Sequence, residues 1–321
     1  MAVETFALIL DQKGGAKKIP LRKISLTEKN IQWIHLDSND SENFSWLERR
    51  KVSPVILEHL QSVESTPRCV RHRNGLLVAL RGLNVNADAD DDMVAVHIWV
   101  SKNRLITMAS QPVAAVAELV ELFRRKKGPK TTGACLVQLA QLMVKKIKAS
   151  LADIAEQADD LEDLVIEGQG IRQDKKLRED ISHLRHLIVS FRRFLAPQQE
   201  IMQALEKIHI PLFSEEDKSH LHTLAHDLAM AVEKLNFARD HSAVTQDQLD
   251  AKTNTNISQI MYLMSMIMVI FTPLSFITGL LGANIGGIPF GENPYGFLWI
   301  CLVLVCVLIC QITLIKKMHW F

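Results

Sequence analysis

The apolar positions change their rhythm three times along the chain. Up to residue 110 they come in short runs: "TFALIL" (5–10), "IQWIHL" (31–36), "LLVALRGL" (76–83), "VAVHIWV" (94–100) and "RLITMA" (104–109). The turn signals "KGG", "RNG" and "SKN" fall in the same region. Short runs punctuated in this way predict strands. "EHLQSVEST" (58–66) predicts a short helix, so residues 1–110 read as a mixed α/β domain. Its acidic loop "DADDD" (88–92) is open between a solvated hairpin loop and a divalent-cation ligand. The loop fits better, because the ligand spacing of a calcium loop is missing.

Beyond residue 110 the rhythm becomes helical. Leu136, Ala140, Met143, Ile147, Leu151, Ile154, Ala158, Leu161 and Val165 step by three and four, and so do Leu177, Ile181, Leu184, Ile188, Phe191 and Leu195. Each set marks one face of a long helix. "EGQG" (167–170) turns the first helix into the second, which predicts a helical hairpin within residues 111–213. The first helix ends acidic and the second begins basic; solvated salt bridges between them contribute little per pair.

A third helix starts in "FSEEDKSH" (213–220), where Ser214 and Asp217 have capping-box spacing. Leu221, Leu228, Leu235, Ser242 and Leu249 follow seven apart, and neither proline nor glycine interrupts 214–272. The pattern predicts one helix of about sixty residues, on the order of 85 Å long. It comprises a stalk (214–256) that continues into an apolar segment. A helix of this length needs partners, so self-association is expected.

The last regime is uncharged. "ISQIMYLMSMIMVIFTPLSFITGLL" (257–281) and "YGFLWICLVLVCVLICQITLI" (295–315) are each close to the ~20 residues that cross a bilayer. The link 282–294 is too short for a domain, so the two runs predict a transmembrane hairpin. Lys252 precedes the first run, Lys316 and Lys317 open the tail 316–321, and the link carries only Glu292. The positive-inside rule then puts both termini in the cytoplasm. The opening "MAVETFALILDQKGGAKKIP" lacks the order of a signal peptide, which also predicts a cytoplasmic start.

One stripe of the third helix is unusually polar and small for a span: Asp247, Ala251, Asn254, Ser258, Met261, Ser265, Met268, Thr272, Ser275 and Gly279. Such a stripe either packs helices together or faces water. Its continuation into polar positions before the span, and toward Asn284 after it, favours a water-filled path. Pro273 lies beside it and can kink the helix.

Composition removes several classes. Basic and acidic residues nearly cancel, 37 against 36, so nucleic acid is not an expected partner. Five cysteines form no CxxC pair, which argues against a zinc ribbon or disulfide framework. Cys306 and Cys310, one helical turn apart in the apolar run, read as small hydrophobes. No nucleophile–base set or phosphate loop stands out, so no enzyme and no resident cofactor are expected.

"YLMSMIMVIFTPLSFITGLLGANIGGIP" (262–289) resembles the end of the first span in the two-span CorA-type divalent-cation transporters. That superfamily closes the span with Gly-x-Asn, here Gly282-Ala283-Asn284, and "IGGIP" (285–289) is closer to its zinc-transport branch, ZntB. Alanine at 283 departs from the methionine usual in the magnesium branch. The resemblance extends to the order of parts along nearly the whole chain. It implies an α+β fold and a homopentameric funnel in the lipid bilayer of the bacterial inner membrane, with the first spans lining a pore. Asn284 and Gly282 would sit at the extracytoplasmic mouth. Asp247, Ser258, Met261, Ser265, Met268, Thr272, Ser275 and Gly279 would line the path. The transported ion would be Zn²⁺, with Cd²⁺, Ni²⁺ and Co²⁺ as further cargo and proton-coupled uptake as one mode. A magnesium channel of the same architecture and a membrane-anchored cytoplasmic sensor are the alternatives. "HLHTLAHDL" adds His222 and His226, one turn apart; they read as solvated stalk residues or, alternatively, as an accessory zinc site.

Overall fold

The computed structural model describes residues 3–25, 30–62, 66–84, 93–167, 171–283 and 294–317, the side chains of 171–173 excepted. Two units are distinguished, Met1–Gln246 and Asp247–Phe321.

The first unit is built on a seven-stranded sheet: β1 (Phe6–Leu10), β2 (Ala16–Ile19), β3 (Gln32–Asp37), β4 (Arg68–His72), β5 (Gly75–Leu83), β6 (Met93–Ser101) and β7 (Arg104–Ala109). The order is β2-β1-β3-β7-β6-β5-β4. All neighbours are antiparallel except β3 and β7. The five apolar runs became the five inner strands. The two edges, "AKKI" and "RCVRH", carry too many charges to read as strands. Those charges suit an edge, where lysine and arginine discourage further pairing.

Two helices cover one face, α1 (Ser41–Arg49) and α2 (Pro54–Gln61). Trp46, Leu47, Ile56 and Leu60 pack there on Ile34, Leu36 and Ile106. The helix expected at 58–66 is corrected in register. It begins at Pro54, a residue pre-organised for the first helical position, and the chain has left it by Ser62. Residues 63–65 and the acidic loop 88–92 lie outside the described residues.

The other face is covered by α3 (Ala114–Arg124), α4 (Thr132–Glu167), α5 (Ile171–Lys207) and the first part of α6 (Glu215–Leu281). The predicted faces of α4 and α5 are buried, with only Leu161 partly exposed. The acidic end of α4 also meets α6, because His241 Nε2 lies 2.7 Å from Glu162 Oε2. The start of α6 is a reciprocal cap. Ser214 N–H donates to Asp217 Oδ2 at 2.8 Å, and Asp217 N–H donates to Ser214 Oγ at 3.1 Å. The helix runs 67 residues, through Pro273.

The heptad leucines of α6 are covered inside the protomer. Leu221, Leu228 and Leu235 are fully buried within the protomer, in one core with Ile147, Ile188 and Phe191 of α4 and α5. The heptad leucines therefore find their partners in the same chain and do not drive self-association. Leu228→Ala should cost about 2–5 kcal/mol of protomer stability. Denaturant unfolding of the detergent-solubilised protein checks this.

Burial also fixes a pH dependence. Desolvation holds His35 at about 4, and His97 is held at about 4 by desolvation first and then by His59, Arg68 and Arg81. Unfolded, both titrate near 6.5. The unfolded chain therefore takes up protons first as pH falls. The stability these residues contribute is complete above about pH 6.5 and lost toward pH 4. Melting temperature should fall across that window, and less steeply in His97→Gln.

Candidate ion pathway

The second unit contains the membrane-spanning part of α6 and the helix α7 (Gly296–Lys317). Their best windows have mean hydropathies of 2.1 and 2.9, and only 6% of either window is buried within the protein. A core helix of a soluble protein would be mostly covered, so these surfaces are suited to lipid or to further protein.

The two helices shield one face of each other. On α6 the shielded residues are Met266, Ile270, Leu274, Ile277 and Leu281; on α7 they are Gly296, Ile300, Leu304, Val307, Leu308, Gln311 and Ile315. The stripe residues Ser258, Met261, Ser265, Met268, Thr272, Ser275 and Gly279 are all exposed. With 3.6 residues per turn, the mean direction of this stripe lies about 180° from the face that meets α7. The most polar side of the span thus looks directly away from its own partner helix. Asp247, Ala251 and Asn254 continue the stripe and are exposed too.

The stripe is chemically mild. Ser265 Oγ donates to Met261 O at 2.9 Å, which satisfies its hydrogen and leaves its lone pairs as acceptors. Met261 and Met268 add thioethers. A Cβ placed on Gly279 would meet nothing within 4 Å, so packing inside the protomer does not demand glycine there. Gly282 closes the helix, its N–H donating to Thr278 O at 2.9 Å. Asn284 and the link to 293 lie outside the described residues. Among the described residues no group of three or more His, Cys, Asp or Glu side chains is placed to hold a metal. His222 and His226 are exposed, and His222 Nδ1 lies 3.1 Å from Glu206 Oε1.

Sequence reasoning missed one residue, Gln311. Pro273 has no N–H, so the carbonyl of Val269, four residues earlier, loses its helical partner. Gln311 Nε2 of α7 donates to that oxygen at 3.3 Å. The side chain repairs the proline break from the neighbouring helix and ties the two spans together at that level. A lone glutamine in an otherwise apolar span was the available signal, since a polar group in hydrocarbon needs a partner.

A continuous match to the family described as CorA-like Mg2+ transporter protein covers residues 28–317. The chain belongs to that family. Transport of divalent cations, not enzymatic catalysis, is the work of its members. The divalent cation transporter CmaX of Pseudomonas aeruginosa is 30% identical, over 98% of this chain and 96% of that protein. The zinc transport protein ZntB of Pectobacterium carotovorum is 29% identical, over 97% and 94%. The solved structure of full-length CmaX superposes with a TM-score of 0.82 at 29% identity, covering 98% of this chain and 97% of that one. The CorA magnesium transporter of Methanocaldococcus jannaschii superposes with 0.83 at 20% identity over the whole of both chains, which supports the fold alone.

The clamp on Val269 predicts a coupled pair. Gln311→Leu should cost about 1 kcal/mol in thermal or denaturant unfolding of the solubilised protein, the scale of one hydrogen bond to an otherwise orphaned acceptor. In a Pro273→Ala background, where the backbone N–H returns, the same substitution should be nearly neutral. Equal losses in both backgrounds would remove the clamp.

Proposed function

We propose that the protein carries Zn²⁺ across the bacterial inner membrane through a pore shared by five copies. In this reading the stripe from Ser258 to Gly279 lines the pore, Asp247 stands on its cytoplasmic approach, and Asn284 and Gly282 form its extracytoplasmic mouth. The observation that carries this is the opposition of the two faces of α6. A polar stripe turned away from α7 must meet lipid, other copies or water, and lipid is the costly choice.

A second pattern supports self-association. Met230, Phe237 and Val244 of α6 are apolar yet exposed, at 47%, 72% and 52%. They stand seven apart, and the same spacing leads on through Ala251, Ser258, Ser265, Thr272 and Gly279. A strict seven-residue repeat describes the seam of a left-handed assembly, and exposed apolar stretches mark contact surfaces. The number five rests on the family resemblance. The lysines flanking the spans support cytoplasmic termini.

The preference for zinc rests on "GANIGGIP", on the name of the ZntB relatives and on the departure at Ala283 from the magnesium pattern. Thioethers at Met261 and Met268 suit Zn²⁺ better than Mg²⁺. A magnesium channel is the second reading, favoured by the description of the family.

Proteoliposomes holding a zinc- or magnesium-sensitive dye test the ion. Zn²⁺ influx should exceed Mg²⁺ influx. Asn284→Ala should reduce it at least tenfold with the assembly intact, because five amide oxygens leave together. Mg²⁺ flux without Zn²⁺ flux selects the second reading. For the assembly, Phe237→Ser should shift the solubilised protein to smaller species by light scattering while the protomer's melting temperature is kept.

A further inference from the structure

The sheet domain holds a cavity of about 790 Å³ that the transport reading does not use. It lies where the link between α1 and α2 faces the β4–β5 turn and the adjoining ends of β6 and β7. Arg50, Lys51, Arg73, Arg104 and His72 line it, and among the described residues no Asp or Glu does. Side chains of one sign gathered around a concave space repel one another and raise the local concentration of the opposite charge.

The donors inside the cavity are also incomplete. Arg104 Nε and Trp99 Nε1 are buried atoms with no hydrogen-bond partner among the described residues. A Cβ on Gly75 would sit 2.5 Å from the Val100 carbonyl oxygen and 3.1 Å from Trp99 Nε1, so glycine keeps this wall of the cavity open. Burial lowers the Arg104 pKa, yet a guanidinium stays charged at any physiological pH. Arg50 donates to the Arg22 carbonyl at 3.3 Å and lies 5.6 Å from the centre of the Trp46 ring, with no acidic partner among the described residues. Burying charge and N–H groups without acceptors is unfavourable. An anion with several oxygens would relieve the charge and both orphaned donors together, and arginine's planar fork matches phosphate.

We propose that this cavity is a binding site for a small phosphate-bearing anion of at least two phosphoryl groups, held by Arg73 and Arg104 with Trp99 as a further donor. Its volume is in the range of small-molecule pockets. Two sources share this chemistry, an inorganic polyphosphate and a nucleoside polyphosphate. They differ in whether a flat base is present to use the Trp99 ring and the apolar wall at Val52 and Ile56.

The test is calorimetric titration of the full-length solubilised protein, in metal-free buffer at near-physiological salt, with pyrophosphate and with ATP. Saturable binding of one or both is expected. Arg73→Asn keeps the left-handed turn that residue adopts, at φ 53°. It and Arg104→Gln should each weaken binding at least tenfold. Lys127→Ala, at an exposed lysine outside the cavity, should leave it unchanged. Similar affinities for the two probes would assign the site to the phosphate chain; tighter ATP binding would assign it to a nucleotide. Absence of binding by either probe overturns the proposal. So does equal weakening by Lys127→Ala, which would mean diffuse charge attraction, or retention of binding in both arginine variants. Melting temperatures of the variants, measured without ligand, separate lost binding from lost folding. The zinc flux assay is independent of the outcome.

Discussion

Hydrocarbon offers a backbone no hydrogen-bond partners, so a spanning segment must satisfy its own N–H and C=O groups. Both spans do this as continuous helices, and α6 extends the same solution far outside the apolar segment. Pro273 is the one interior position of the α6 span where the solution fails by covalent structure. The amide of Gln311 supplies what the proline lacks. A polar side chain in the second span is thereby explained by a missing hydrogen in the first. The contact also fixes which face of α6 meets α7, and so which face is left over.

That leftover face gives the molecule its functional reading. A helix in a hairpin has one side occupied by its partner, and the opposite side is the natural place for a path. Hydroxyls and glycine gather there, while the shielded side is wholly apolar. The stripe has only one formal charge, Asp247, at its N-terminal end. In the proposed path such weak neutral ligands would let a dication leave as readily as it enters, which suits transport better than storage.

The sheet domain works by different rules. Its core is ordinary aliphatic packing on both faces of the sheet, and its buried histidines are kept neutral by desolvation. The basic cavity at one end of the sheet is the exception, since among the described residues no acidic side chain lines it. A protein that moves cations has no evident need of a cationic pocket for its cargo, which sets that cavity apart from the pathway.

The sequence by itself determined the elements whose evidence is local. Short apolar runs between turn signals placed the five inner strands, steps of three and four placed both hairpin helices, uncharged length placed the spans, and Ser214 with Asp217 marked the start of α6. Gly282-Ala283-Asn284 and the polar stripe were also legible, because a stripe is a property of one helix. Edge strands β2 and β4 were not legible, since half of an edge faces solvent and need not be apolar. The sequence showed that Leu221, Leu228 and Leu235 must be covered but not by what; α4 and α5 of the same chain cover them, while Met230, Phe237 and Val244 are left exposed. Gln311 and the basic cavity needed tertiary structure for the same reason. Val269 and Gln311, or Arg73 and Arg104, are distant in the chain, and only packing of helix on helix or strand on strand makes them neighbours.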